Sequence, residues 1–191
     1  MKLVAGVDEV GRGSLIGPVY AAAVILNKSI NKKDLKDSKS LSKNKREKLF
    51  TYIKKNSTWA IGQASVKEIE KMNILHASLL AMKRAIIKLK KKPNLVLIDG
   101  NKIPNLKNYN LRYIIKGDQK IPSISAASII AKVSRDRSIA RLNKNHEFGS
   151  GYPSDKKSVN FVKKLVYAKK PLPSSVRKSW KPVQKILGLV N

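Results

Sequence analysis

Asp8, Glu9, Asp99 and Asp118 are the residues best placed to do chemistry. Each stands at or near the C-terminal end of a short apolar run (residues 3–7, 95–98 and 113–115), and glycine accompanies or closely follows all four. In sheets with parallel pairs, ligands bind in the crevice beyond the carboxyl ends of the strands. If the three runs are neighbouring strands, their ends bring four carboxylates together, and like charges so close would force protonation. Two Mg²⁺ or Mn²⁺ ions would resolve this, because hard cations take oxygen ligands. Two such ions ~3.5–4 Å apart serve in-line attack on a phosphodiester, one activating water and the other stabilising the leaving oxygen. Turn formation alone also accounts for these residues, since Asp-Gly after a strand is a common turn signal, so the pattern leaves both readings open. Asp8 and Glu9 are adjacent, and neighbouring side chains on a strand face opposite ways. Both reach one site only if the chain bends, as Gly11 and Gly13 would permit.

The elements that must position these groups follow from periodicity. Residues 19–26 (VYAAAVIL) form a near-continuous apolar run, expected to be a central strand buried on both faces. Ser42 is placed to N-cap a helix from 43 to about 55 with Leu49, Phe50 and Ile53 as its apolar stripe, and residues 59–66 predict a third strand. Helical spacing then runs over 66–90, broken near Asn73, with His76 expected in the core. Pro122 and Ser123 open a long helix to about 144. A Gly-rich loop at 148–154 leads to a helix at about 155–168 and a last helical piece at 174–187, interrupted at Pro182. The order is mixed α/β, with residues 1–145 expected as the core and 146–191 as a C-terminal loop and helices packed on it.

Charge narrows the partner. In 191 residues, 41 Lys+Arg against 12 Asp+Glu leave +29, which favours a polyanion, nucleic acid above all. A/T-rich codon drift would explain lysine over arginine, but not the presence of only five glutamates. Cysteine is absent, which excludes disulfides, zinc-thiolate sites and a cysteine nucleophile. The N-terminal apolar run meets Asp8 and Glu9 too early for a signal peptide, and no window approaches the ~18 apolar residues of a span. A cytoplasmic protein with no membrane association is expected. The remaining acids lie among lysines in helices, in loops or at helix starts, where surface pairing and capping suffice.

Longer motifs carry a resemblance. VAGVDEVGRG (4–13), GPVYAAAVIL (17–26), DSKSLS (37–42), NILHASLLAM (73–82), LIDGN (97–101), KGDQKIPSISAASIIAKVSRD (116–136) and GYPS (151–154) together resemble ribonuclease HII, the type 2 ribonuclease H, over most of the chain. The resemblance implies a ribonuclease H-like mixed five-stranded sheet flanked by helices, with a helical C-terminal region. It also implies a metal-dependent endonuclease, using Mn²⁺ or Mg²⁺, that cuts the RNA strand of RNA–DNA hybrids. Such an enzyme would nick 5′ of single ribonucleotides embedded in duplex DNA, leaving 3′-hydroxyl and 5′-phosphate ends, and a monomer is expected. Asp8, Glu9, Asp99 and Asp118 match the family's metal-binding and catalytic carboxylates. Gly11, Arg12 and Gly13 match the motif that reads the 2′-hydroxyl, and Tyr152 the tyrosine that packs on the sugar after the ribonucleotide.

Further substrate contacts are expected from Lys39, near the phosphates, and from Ser125, Ser128 and Lys132 at the start of the long helix, where helix packing equally explains the serines. FGSGYPSD and Val176-Arg177-Lys178-Ser179-Trp180 depart from the commonest bacterial forms, HKGYP and HRxSF, so a substrate contact by Arg177 does not carry over. Two rivals remain. One is ribonuclease HIII, which normally adds an N-terminal domain for which the first strand leaves no room. The other is a non-catalytic basic nucleic-acid-binding protein, against which four strand-end carboxylates argue.

Overall fold

A computed structural model describes residues 2–31, 35, 41–144 and 146–190. Five strands, β1 (Val4–Val10), β2 (Val19–Leu26), β3 (Ser57–Ala64), β4 (Leu95–Asp99) and β5 (Leu111–Ile114), form one sheet in the order β3-β2-β1-β4-β5. β1, β4 and β5 run parallel, whereas β2 pairs antiparallel with β1 on one side and with β3 on the other. Among the described residues, six helices accompany it: α1 (Lys43–Lys55), α2 (Val66–Ile87), α3 (Gly117–Lys120), α4 (Pro122–Asn143), α5 (Lys156–Tyr167) and α6 (Lys181–Ile186).

The period-2 alternation of the central strands sorts the core into two layers. Ala5 and Val7 of β1, with Ala21, Ala23 and Ile25 of β2, pack toward α2. Ala22 and Val24 of β2 pack with Leu49, Phe50 and Ile53 of α1 and with Ala126, Ile129, Ile130 and Val133 of α4. Gly6 faces the start of α4 so closely that a Cβ there would come within 2.1 Å of the Ser123 carbonyl carbon. That contact sets α4 against the even-numbered face of β1. A third cluster joins Leu15, Ile16 and Ile139 to Phe148, Val162, Val176 and Val183, so the C-terminal segment closes over the loop after β1.

Local signals account for most boundaries. The Ser42 hydroxyl accepts from Lys45 N–H at the start of α1, and Ser65 and Glu68 form a reciprocal capping box on α2. Asn73 interrupts α2 with φ of 69°, as its sequence predicts, and its side-chain oxygen accepts from Leu75 N–H and His76 N–H. His76 is exposed there, contrary to expectation, because the break turns its position outward from the apolar face. The last helical piece also differs. Residues 174–180 form turns and an antiparallel bridge, Ile16↔Val176, and only Lys181–Ile186 is helical. Pro182 sits in the first turn of α6, where its missing N–H costs nothing, so it starts the helix instead of interrupting it.

Candidate active site

β1 runs regularly through Val10, which pairs with Tyr20. Asp8 and Glu9 therefore lie inside the strand, and the bend expected at the glycines begins only after both. Asp8 leaves the face covered by α4, where the Ser128 hydroxyl bonds its carboxylate. Glu9 leaves the α2 face, beside Ser78, Leu79 and Met82. They still reach one cavity, because β1 loses its β4 neighbour beyond Val7↔Ile98, and the open flank lets side chains from both faces meet over the sheet end. That cavity, about 340 Å³, is lined by Asp8, Glu9, Val10, Asp99, Arg46, Ser128 and Lys132.

Asp99 closes β4, and its Oδ1 accepts from Gly117 N–H at 2.7 Å, fastening the end of β4 to the start of α3. Asp118, the next residue, is buried in α3 and does not line the cavity that the other three carboxylates share. Ser128 and Lys132 stand one turn apart on α4, and Lys132 Nζ pairs with Asp136 at 3.0 Å. Ser125 is different. Its hydroxyl is buried and donates to the Leu35 carbonyl, so it serves packing of α4 and not the cavity. Lys39 lies outside the described residues.

Gly11 and Gly13 flank a turn closed by Ser14 N–H on the Gly11 carbonyl at 3.3 Å. Gly11 has φ of +94°, a conformation that glycine adopts without strain. Gly13 has no such angle, and a Cβ on it would meet nothing within 4 Å. Arg12 pairs with Glu9 at 3.3 Å. The Tyr152 ring lies against two cations, with the Arg135 guanidinium 4.2 Å and Lys132 Nζ 5.3 Å from its centroid. Lys132 thus borders both the carboxylate cavity and the tyrosine.

Three arginines that sequence reasoning did not assign stand here. Arg46 lines the cavity and donates to the Leu41 carbonyl. Arg135, 1% exposed, donates to the Ser14 hydroxyl and the Ser150 carbonyl, joining the glycine turn to the tyrosine loop. Arg177 is equally buried. Their scarcity was a usable signal: only eight of the 41 basic residues are arginine, and a forked guanidinium is the cation suited to burial among carbonyls.

Burial, then the charges of Glu9 and Asp99, raise Asp8 well above its usual 3.8. Burial also raises Glu9 above 4.5, against the opposing pull of Arg12. A carboxyl raised in the folded state costs no stability below its unfolded value and costs progressively more as pH rises through the folded one. Asp8→Asn removes that cost. In EDTA, its Tm advantage over the unsubstituted protein is expected to be near zero below pH 3.8 and to grow toward neutrality. Calorimetry across pH checks this; an advantage independent of pH would show that burial and the neighbouring charges impose no such cost on Asp8.

The donor set fits hard divalent cations, since acidic oxygens converge where their own repulsion needs compensation. Among the described residues, no three His, Cys, Asp or Glu are grouped closely enough to hold a metal ion together. An open arrangement suits Mg²⁺-type sites, which use one or two carboxylates and leave room for water and substrate phosphate.

The carboxylate cavity lies at the ends of the adjacent parallel strands β1 and β4, in a strongly basic chain on a 3-2-1-4-5 sheet. The sequence profile of the family Ribonuclease HII matches residues 5–183. A ribonuclease HII from Pelagibacter ubique (strain HTCC1062) is 67% identical over 98% of this chain and 100% of its own length. One from Vibrio parahaemolyticus is 46% identical over 98% of this chain and 89% of its own. Among solved structures, ribonuclease H2 from Pyrococcus horikoshii OT3 superposes with a TM-score of 0.84 at 33% identity, covering 97% of each chain. Bst-RNase HIII, solved with Mn²⁺, shares the fold at a TM-score of 0.82 and 18% identity, covering 98% of this chain and 70% of that one. The chain belongs to the ribonuclease HII family and is a ribonuclease H, whose use of divalent metal ions is general to the family.

Proposed function

We propose that this ribonuclease H cleaves the RNA strand of RNA–DNA hybrids and nicks 5′ of single ribonucleotides in duplex DNA, leaving 3′-hydroxyl and 5′-phosphate ends. The observation that carries the finer reading is the room beside Gly13. Neither backbone angle nor packing within the protein demands glycine there, yet the position opens beside the carboxylate strand. A bare backbone with space around it suits close approach to a sugar, whose 2′-hydroxyl distinguishes RNA from DNA.

Asp8, Glu9 and Asp99 would hold Mg²⁺ or Mn²⁺, with Asp118 contributing from α3. Bound there, the ions would lower the pKa of a water and neutralise charge on the leaving oxygen. The chain's own groups do the rest. Ser128 holds the Asp8 carboxylate in place, and Arg12 opposes the upward pull of burial on Glu9. Lys132 and Arg46 bring positive charge to the cavity wall where phosphates would pass. Residues 1–145 make up the catalytic core in this reading, and 146–191 supply Tyr152 and a basic flank.

The deciding experiment is a labelled duplex with one ribonucleotide, incubated with Mg²⁺, Mn²⁺ or EDTA, with the cut mapped. A metal-dependent nick on the 5′ side is expected; cleavage of hybrids alone would remove the single-ribonucleotide reading. Tyr152→Ala is expected to lower kcat/KM on the embedded ribonucleotide about tenfold more than on an all-RNA hybrid, because in this reading the ring packs on the sugar beyond the junction; stacking of a base on an aromatic ring, the nearest analogue, is worth roughly 1–3 kcal/mol. Equal losses on both substrates, measured side by side, would assign Tyr152 to general binding.

A further inference from the structure

We infer that Arg177 is a positioning residue, which holds the Gly11–Gly13 turn so that the Gly13 N–H faces the substrate side. This rests on the reading of that turn as the 2′-hydroxyl contact. Arg177 comes from the far end of the chain, yet its Nε–H donates to the Gly17 carbonyl and its Nη1–H to the Arg12 carbonyl, each at 2.8 Å. Its backbone is locked to the same loop, with Arg177 N–H on the Leu15 carbonyl at 2.9 Å and Gly17 N–H on the Ser175 carbonyl at 2.8 Å. The side chain is 1% exposed, and no acidic group among the described residues pairs with it. Burial and the neighbouring Arg135 lower its pKa to about 10, so it stays charged at neutral pH.

The consequence follows from peptide geometry. The Arg12 carbonyl and the Gly13 N–H belong to one planar trans unit and point in opposite directions. Drawing the carbonyl inward onto a buried guanidinium sends the N–H outward, where Gly13 is exposed and a Cβ would meet open space. The other side of the turn is held as well. A Cβ on Gly11 would lie 3.5 Å from Arg135 Nε and 3.8 Å from Arg177 Nη2, so both guanidinium groups back the turn. A charged donor makes a stronger bond to a carbonyl than a neutral one. Glutamine, shorter and uncharged, cannot span both carbonyls.

The test compares the full-length protein with Arg177→Gln, Arg177→Lys and Val183→Ala, the last loosening the same C-terminal cluster without touching the turn. The first readout is the Gly13 amide resonance of the free protein in EDTA. Arg177→Gln is expected to shift or broaden it, Arg177→Lys to do so less, and Val183→Ala to leave it in place. The second is kcat and KM on a duplex with one ribonucleotide, well below every Tm. Arg177→Gln should lower kcat on the order of 10- to 100-fold with KM within about twofold, because misplacing a contact by ~1 Å costs up to 10²-fold. Val183→Ala should change neither beyond its folded fraction. An unmoved Gly13 resonance in Arg177→Gln, or a loss of activity that only tracks stability as in Val183→Ala, overturns the inference. A moved resonance with kcat unchanged would leave the clamp standing and overturn the 2′-hydroxyl reading. Should Arg177→Gln be insoluble, Arg177→Lys carries both readouts, since its single ammonium cannot reproduce the two-pronged contact.

Discussion

Asp99→Asn is expected to lower cleavage of an RNA–DNA hybrid roughly 100-fold or more, while hybrid affinity in EDTA stays within about twofold. The substitution is conservative for the fold. Asparagine retains a side-chain oxygen to accept from Gly117 N–H, the bond that ties the end of β4 to α3. What it removes is one of the charges converging on the cavity and a hard anionic ligand. The Asp99 charge contributes to raising both Asp8 and Glu9, so its removal should also ease the metal-free protein. Cleavage assays over a Mg²⁺ and Mn²⁺ series check the first effect, and fluorescence anisotropy checks the affinity. Full metal-dependent activity in this variant would exclude Asp99 as a metal ligand.

Gly6→Ala is expected to be the most destabilising single-methyl change near the site. A Cβ at residue 6 would sit 2.1 Å from the Ser123 carbonyl carbon, 2.2 Å from Ile124 N and 2.4 Å from the Ser123 oxygen. These are backbone atoms in the first turn of α4, so no rotamer change relieves the clash and the helix must retreat from β1. Overpacking of this kind costs about 3 kcal/mol or more. For a chain of this size that corresponds to a fall in Tm of roughly 6–12 °C. Activity should fall too, because the same shift carries Ser128 away from Asp8. Gly13→Ala is the control: its Cβ meets nothing within the protein, so Tm should hold while cleavage drops. A Gly6→Ala melting point within about 2 °C of the unsubstituted protein would show that β1 and α4 are not locked together.

Much of this architecture was legible locally. The apolar run of β2, the Ser42 cap, the Asn73 break and the Pro122 start all act through short-range geometry, so periodicity and capping residues located them within a few positions. For the complementary reason, residues 174–180 depart from the helix that their spacing predicts. Their helical spacing lost to a bridge with Ile16 and to backbone bonds with Leu15 and Gly17, partners some 160 positions away that periodicity cannot report. The apolar neighbours of His76 predict a core position, and it lies outside because the break at Asn73 reorients its turn.

The carboxylates divide the same way. Their residue types and strand-end positions, together with the excess of base over acid, determined the chemistry to look for: oxygen ligands for hard cations within a chain made for a polyanion. The motifs around them determined the family. Only the tertiary structure decided that Asp8, Glu9 and Asp99 share one cavity while Asp118 stays buried beside it, because that depends on where β4 stops pairing with β1. It also decided that Arg135 joins the glycine turn to the tyrosine loop and that Arg177 ties the same turn to the C-terminal segment. A guanidinium finds its carbonyls by distance in space, and separation along the chain carries no record of that distance.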